Sequence, residues 1–156
     1  MTLEGTLRDH GFTRGLSGGH IATLAKLANE VTFAENEVIL MQHQHSADFY
    51  LVTSGSVNIE LHAPGFTVTV LAVGAGQAFG WSALLGHHET LFQVRARERT
   101  AAVRLPGEDL IRACHRDPNL GVEILSRTLQ LAAGRIEATE ARFAEMCGVR
   151  VKLQGH

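Results

Sequence analysis

The sequence predicts a mainly β domain with flanking helices, and three observations lead to that prediction. Short apolar strands separated by turn residues occupy the stretch from residue 31 to 105. On both sides of this stretch, apolar residues recur at helical spacing. The strands also follow one another closely. Roughly eight short strands at such spacing indicate a sandwich or rolled barrel, because β-α-β units would place helices between them.

The 156 residues suit a single domain with one well-formed core. The expected divisions are one domain over 1–156, an N-terminal helix at 16–30, a β-roll at 31–105 and C-terminal helices at 106–147. The first helix starts from Ser17, whose side-chain oxygen suits an N-cap. Ile21, Leu24 and Leu27 form its apolar face.

The strands are recognised by their turns and by alternation. Ser54-Gly55 and Ala63-Pro64-Gly65 are turn signals on either side of SVNIELH. Alternation in that segment predicts that Val57, Ile59 and Leu61 lie on one side of the strand. The segment FGWSALLGHHETLF, residues 79–92, then interrupts the strands and is the candidate functional loop.

A short helix follows the strands, and Asp117-Pro118 then starts a long one, with an N-cap and a proline at the first helical position. Along the long helix, apolar residues follow a heptad a/d spacing. The expected dimer positions in that seam are Leu125, Leu129, Ala132, Ile136, Thr139 and Phe143. A second stripe, Leu120, Ile124 and Leu131, would face the roll. Two apolar stripes favour a homodimer, and the alternative is a monomer whose helix lies across the roll.

Composition excludes several classes of protein. The formal net charge of −2 lacks the basic footprint of a protein that binds nucleic acid by itself. Cys114 and Cys147 have no CxxC partner, which favours reduced thiols over zinc or a redox pair. The sequence shows no signal peptide and no apolar run near the ~20 residues of a membrane span. We therefore expect a cytoplasmic protein that binds no membrane.

The order of elements and four motifs resemble the cyclic nucleotide-binding domain of the catabolite-activator-like regulators. The motifs are DFYLVTSGSV at 48–57, VGAGQAFG at 73–80, SALL at 82–85 and VRA at 94–96. Each motif alone is weak, but their order and spacing are specific. The resemblance covers residues 16–145 and implies a double-stranded β-helix, or jelly roll. Gly80-Trp81-Ser82 is similar to a subgroup of stand-alone bacterial domains, so we expect no DNA-binding half.

The resemblance implies that the loop surrounds a cyclic phosphate. Gly80 would let the backbone approach the ligand, and the amides of Ser82, Ala83 and Leu84 would point at the anion. In that family a Glu follows the glycine and takes the ribose 2′-hydroxyl, whereas this chain has Trp81. The stand-alone subgroup tends to keep an Arg near the position of Glu89, and a carboxylate there repels a phosphate.

Other side chains could compensate for the missing arginine. Arg95 could point into the roll or outward, and the resemblance places Arg135 and Thr139 on the helix that closes over the ligand. Trp81 could stack on a flat ligand or close the pocket. The candidate ligand-binding residues are Phe79, Gly80, Trp81, Ser82, Ala83, Leu84, His88, Glu89, Thr90, Arg95, Arg135 and Thr139.

The sequence suggests three alternative functions. The first is a cyclic nucleotide-binding-like sensor, without catalysis or a cofactor, that signals through its dimer helix. The second is a degenerate domain that serves as a dimerisation or protein-interaction scaffold. The third is a cupin-type metalloenzyme, suggested by His43, His45 and Asp48, although a catalytic metal needs at least three good ligands and the expected late histidine is missing. The sensor is the favoured reading.

Overall fold

The computed structural model describes residues 2–86 and 89–149 of the chain. The helices are α1 (Leu3–Asp9), α2 (Gly18–Leu27), α3 (Gly107–Arg116) and α4 (Pro118–Met146). The strands are β1 (Asn29–Phe33), β2 (Val38–Leu40), β3 (Asp48–Ser54), β4 (Ser56–Ala63), β5 (Phe66–Gly74), β6 (Ala78–Phe79), β7 (Gln93–Ala96) and β8 (Thr100–Pro106). A short 3₁₀ helix, Trp81–Leu85, follows β6, and we call it the loop helix.

The eight strands form two antiparallel four-stranded sheets, in the orders β1-β8-β3-β6 and β2-β7-β4-β5. This arrangement confirms the predicted jelly roll with helices at both ends of the sequence. β3 carries the run Phe49 to Val52, in which every residue is buried. Its two faces contribute to different cores, and for that reason the run is apolar throughout and does not alternate.

One core lies between the sheets, and a second joins the roll to the helices. Tyr50, Val52 and Phe79 belong to the first, together with Ile59 and Val94. The second core is built from Phe49, Leu51, Leu105 and buried residues of α1 to α4. The helices are therefore attached to the outer face of the sheet that contains β3.

The N-terminal helix is shorter than predicted. Ser17 does cap α2, because its Oγ accepts a hydrogen bond from the amide of His20 at 3.2 Å. The helix ends at Leu27, since Asn29 and Glu30 already pair with β8. α1 was not predicted from the sequence. Of its residues only Leu7 is buried, so it carries no apolar stripe to recognise.

The C-terminal helices follow the predicted pattern closely. Asp117 Oδ1 accepts hydrogen bonds from the amides of Asn119 and Leu120 at 3.2 and 3.3 Å, which caps α4. Leu120 and Ile124 are fully buried against the second core, and Leu131 packs at its edge. The predicted second stripe therefore does face the domain.

A single arginine of α4 joins the helix to the N-terminal segment. Arg127 Nη1 donates hydrogen bonds to the carbonyl oxygens of Phe12 and Arg14, at 2.7 and 2.8 Å. Arg127 also forms an ion pair with Glu123 on the preceding turn. Charge-assisted bonds to backbone carbonyls hold this part of α4 in one position.

The alternation predicted for SVNIELH is wrong at its end. The register between β4 and β5 shifts between Ile59 and Glu60. Because of this bulge, Glu60 is buried and Leu61 is exposed. An extra residue moves every later side chain to the other face, and alternation alone does not reveal it.

Candidate functional site

A cleft of about 360 Å³ lies between the loop helix and α4. Apolar side chains of the roll line one side of it, and these are Leu40, Ile59, Leu91, Phe92 and Val94. Gly80, Trp81 and Ser82 line it from the loop, and Arg135 and Thr139 line it from α4. The structure thus brings together residues from the two separate segments that the sequence indicated.

Gly80 determines how the loop enters the cleft. Its φ of 81° is in the left-handed region, and a Cβ there would lie 2.8 Å from the Asp48 carbonyl oxygen of β3. Only glycine avoids both the strained backbone and this collision. The chain can therefore turn tightly above β3 and start the loop helix at Trp81.

The amides of the loop helix are less available than the resemblance implied. The Ala83 amide donates to the Gly80 carbonyl at 3.0 Å, so it is already used. Ser82 precedes this first bond and lines the cleft. Ala83 and Leu84 are buried and do not line it, and Phe79 is stacked on Tyr50 inside the roll at 4.8 Å. None of these three candidates lines the cleft, and all three are buried beneath the loop.

Trp81 separates two cavities. It lines the cleft, and it also lines a groove of about 680 Å³ between α4 and the edge formed by β5 and β6. Its ring packs at the edge of the second core. The cleft remains open beside it, so Trp81 forms a wall there and does not fill the space.

Arg135 is the cation of the cleft. Its guanidinium carbon lies 4.6 Å from the centre of the Phe92 ring, and its Nε is buried without a hydrogen-bond partner. Burial lowers the pKa of Arg135 from its ordinary value to about 10, so the group stays protonated at neutral pH. A buried charge without a counter-ion is costly, and an anion would offset that cost.

Two carboxylates share the cleft with this cation. Glu89 lines it near the loop and Glu140 lines it from α4, and in the described part of the chain neither forms an ion pair with Arg135. Of the hydroxyl groups, Thr90 Oγ1 accepts from the Phe92 amide at 3.2 Å. Thr139 Oγ1 donates to the Arg135 carbonyl at 2.9 Å. Both threonines are therefore engaged with backbone.

Arg95 is not part of the cleft, which corrects its place among the candidates. Its Nε donates to Glu60 Oε1 at 2.8 Å, and its Nη1 donates to the Asn36 carbonyl at 3.1 Å. The side chain lies on the outer face of its sheet, because neighbouring Val94 faces the core. The other candidate, His88, lies outside the described residues.

The metal site considered from the sequence is not assembled. His43 adopts a left-handed φ of 64° in an exposed turn, and His45 pairs with Glu89 in an isolated β-bridge. Across residues 2–86 and 89–149, no group of three or more His, Cys, Asp or Glu side chains could hold a metal ion. Over the same residues, no helix is both long and apolar enough to cross a membrane.

Several residues of the cleft were not predicted. Glu140 lies on the cleft side of α4 four residues after Ile136, so helical spacing from Ile136 could have indicated it. Phe92 and Val94 alternate along the strand after the loop, which is a detectable signal. Leu40 and Ile59 come from strands distant in sequence, and no local pattern indicates them. Ile136, predicted as a dimer position, also lines the cleft.

Comparison with known proteins gives a family and a fold. A family model described as a cyclic nucleotide-binding domain matches residues 30–117. Potassium channel AKT3 of Oryza sativa subsp. japonica is 29% identical over 121 residues, which cover 74% of this chain and 13% of the channel. The chain therefore spans a small part of the length of the curated relatives it matches.

Two solved structures share the architecture. A cyclic nucleotide-binding domain from Methylobacillus flagellatus KT has a TM-score of 0.77 at 19% identity, covering 98% of this chain and 85% of that one. The N-terminal domain of a transcriptional regulator from Streptomyces coelicolor A3(2) has a TM-score of 0.67 at 21% identity, covering 88% and 94%. At sequence identities this low, the structural similarity shows a common fold.

Proposed function

The chain belongs to the family of cyclic nucleotide-binding domains, and we propose that it is a regulatory sensor that binds a cyclic nucleotide or a related small anion in the cleft. It acts by binding and not by catalysis. The observation that carries the proposal is Arg135, a partly buried cation whose buried Nε has no hydrogen-bond partner, in an otherwise mostly apolar cleft. Such a group favours a negatively charged ligand.

The position of the cation suggests how binding becomes a signal. Arg135 belongs to α4, whereas Gly80 and Ser82 belong to the roll. An anion held by both would connect the helix to the loop. Occupied and empty states would then differ in how firmly α4 is held, and a ligand can shift an equilibrium only through such a difference in affinity.

We expect cyclic nucleotides to bind weakly. Trp81 provides no carboxylate for a ribose hydroxyl, and Glu89 and Glu140 oppose a phosphate placed near them. Loss of a buried charged contact costs on the order of 2–5 kcal/mol, so a ligand that would otherwise be micromolar becomes roughly millimolar. Arg135 supplies the remaining attraction.

Calorimetric titration with cyclic AMP and cyclic GMP tests the proposal. The wild-type protein should bind with a dissociation constant near the millimolar range, and Arg135→Met should weaken binding roughly tenfold or more, because it removes the cation and keeps the side-chain length. Arg142→Met is the matched control, since Arg142 is an exposed arginine of the same helix paired with Glu145.

Two results would contradict the proposal as it concerns cyclic nucleotides. One is the absence of heat at millimolar ligand, and the other is equal binding by the wild type and Arg135→Met. The substitution should not impair folding, because it removes a desolvated charge with no partner. Thermal unfolding of both variants checks this point.

A second candidate function is a homodimeric scaffold, and one observation favours it. α4 exposes large apolar side chains along one side, including Leu129 at 71% and Phe143 at 68% relative exposure. The other exposed members are Val122, Leu125, Ile136 and Met146. A twin helix would cover this stripe. Ala132 and Thr139 are partly covered in the single chain, and Thr139 faces the cleft.

A further inference from the structure

Six of the described lining residues carry polar or charged side chains, and two of these are already bonded to backbone. The hydroxyls of Thr90 and Thr139 bond to backbone atoms, as described above. Among the described lining residues, Arg135 is the only cation. Ser82 is the remaining hydroxyl, and Glu89 and Glu140 are acceptors. A ligand with many hydroxyl groups would therefore find few donors when it leaves water. Its own hydroxyls would meet the carboxylates of Glu89 and Glu140, which are exposed, so a hydrogen bond there replaces one to water at little net gain.

The rest of the lining is apolar and partly aromatic. Trp81 and Phe92 border the space from the loop side, and Ile59, Val94 and Ile136 complete it. Arg135 lies over the Phe92 ring, so its charge and an aromatic face are presented side by side. A ligand that matches this surface has an apolar body next to one acidic group.

The carboxylates limit the charge of the ligand. One cation faces two potential anions, Glu89 and Glu140, in the same cleft. A first negative charge can contact Arg135, whereas a second would lie near a carboxylate, with no further cation among the described lining residues to offset it. The arrangement favours a monoanion over a dianion.

Resting on the sensor role proposed above, we propose that the cleft selects an organic monoanion with an apolar body. The anion contacts the Arg135 guanidinium, and the body packs between Trp81, Phe92 and the aliphatic wall. Sugar hydroxyls contribute little to its affinity. Carboxylates and sulfonates with an aromatic or branched aliphatic group have this chemistry.

A pair of fluorescent probes tests the charge requirement. 1-Anilinonaphthalene-8-sulfonate is an aromatic monoanion, and N-phenyl-1-naphthylamine is its neutral counterpart. The sulfonate should bind the wild-type protein, and Arg135→Met should weaken it roughly tenfold or more. Arg142→Met should bind it as the wild type does, and the neutral probe should not distinguish the three proteins.

The position of the probe can be read from Trp81, the only tryptophan of the chain. Bound sulfonate should quench Trp81 emission by energy transfer, with the same dependence on Arg135 as the probe signal. Sulfonate binding that is equal in the wild type and Arg135→Met would overturn the proposal, because the probe would then be held elsewhere or by apolar contact alone.

A second ligand pair tests the indifference to sugar hydroxyls. Cyclic AMP and 2′-deoxy cyclic AMP should displace the sulfonate probe equally and weakly. If the deoxy compound is tenfold weaker, or if cyclic AMP binds more tightly than the probe, the inference on ligand class is wrong and the sensor proposal stands. If neither the probe nor cyclic AMP binds in an Arg135-dependent way, both proposals fail.

Discussion

At the scale of single residues, Arg95 and Arg135 show what decides whether an arginine is available to a ligand. Both were candidate cations for the same anion. Arg95 is paired with Glu60 and a backbone carbonyl on the outside of the roll. Arg135 lies partly buried beside Phe92, and its buried Nε has no hydrogen-bond partner. Partners and burial separate them, and neither property can be read from the one-letter code.

His10 is a buried titratable residue outside the cleft. It is 5% exposed, and its Nδ1 accepts a hydrogen bond from the Phe12 amide at 3.1 Å. Nε2 therefore carries the proton and donates to the Val52 carbonyl at 2.9 Å. Burial lowers the pKa of His10 below its ordinary value of 6.5. The neutral ring joins the segment after α1 to β3.

This histidine should make the stability of the protein depend on pH. Because the folded-state pKa is lower than the unfolded value of 6.5, the unfolded chain takes up the proton first as pH falls. The contribution of neutral His10 is complete above pH 6.5 and decreases as the pH drops toward the folded pKa. Urea unfolding between pH 7.5 and 5 should show a steeper loss for the wild type than for His10→Gln.

The exposed His115 provides the control for that measurement. His115→Gln should follow the wild-type pH dependence, since the substitution leaves His10 and its hydrogen bonds unchanged. A His10→Gln profile that is parallel to the wild type would show that His10 does not contribute to the pH dependence.

At the scale of elements, the loop helix is held in place by close packing against the start of α3. A Cβ at Gly107 would collide with the Ala83 carbonyl and lie 2.9 Å from Ala83 Cβ. Gly134, in the middle of α4, has no heavy atom within 4 Å of its Cβ position. Close packing therefore requires a glycine at position 107, whereas it does not require one at position 134.

Substitution by alanine should affect these glycines in opposite directions. Gly107→Ala should lower the free energy of unfolding by about 1–3 kcal/mol through overpacking, and it should weaken anion binding because the loop helix must move. Gly134→Ala should raise the free energy of unfolding by about 0.5–1 kcal/mol through helix propensity. Chemical denaturation of the three proteins checks both values, and a stable Gly107→Ala would refute the packing argument.

Elements with a strong local signal could be predicted from the sequence, and elements decided by tertiary contacts could not. Asp117 and Ser17 were recognised as caps because their residue types and spacing have one local explanation. The β4 bulge was missed since it depends on how β5 pairs with β4. α1 was missed because a helix with one buried residue has no periodicity.

At the scale of the whole molecule, the cleft shows the same division. Gly80 to Ser82 and Arg135 come from segments that the resemblance aligned, and the structure brings them together. The apolar wall joins Leu40, Ile59 and Val94, which become neighbours only when β2 and β4 pair with β7 on either side. That wall determines the proposed ligand class, and it was invisible to motif reasoning.

The exposed stripe of α4 leads to a prediction about assembly. If two copies pair through it, sedimentation equilibrium should show a dimer for the wild type at tens of micromolar protein. Phe143→Glu should raise the dimer dissociation constant roughly tenfold or more, because a buried charge would replace an aromatic contact. Phe66→Glu is the control, since Phe66 is 57% exposed but lies at the turn between β4 and β5, at the other end of β5 from the residues that border the α4 groove.

The control and the dimer variant must differ for the proposal to stand. Equal masses for the wild type and both variants would place the interface elsewhere or show that the protein is a monomer. A dimer whose mass changes with cyclic AMP would favour the sensor over the passive scaffold.

The attachment of α4 through Arg127 means that a tilt of the helix displaces residues more the farther they lie from Arg127. Arg127 donates hydrogen bonds to the carbonyls of Phe12 and Arg14, so the helix can pivot at this residue. At 1.5 Å per residue, Arg135 lies roughly 12 Å and Met146 roughly 28 Å beyond it along the axis. If the helix tilts as a rigid rod, a displacement of about 1 Å at Arg135 becomes about 2 Å at Met146. The C-terminal end of α4 therefore moves most, although it lies well away from the cleft.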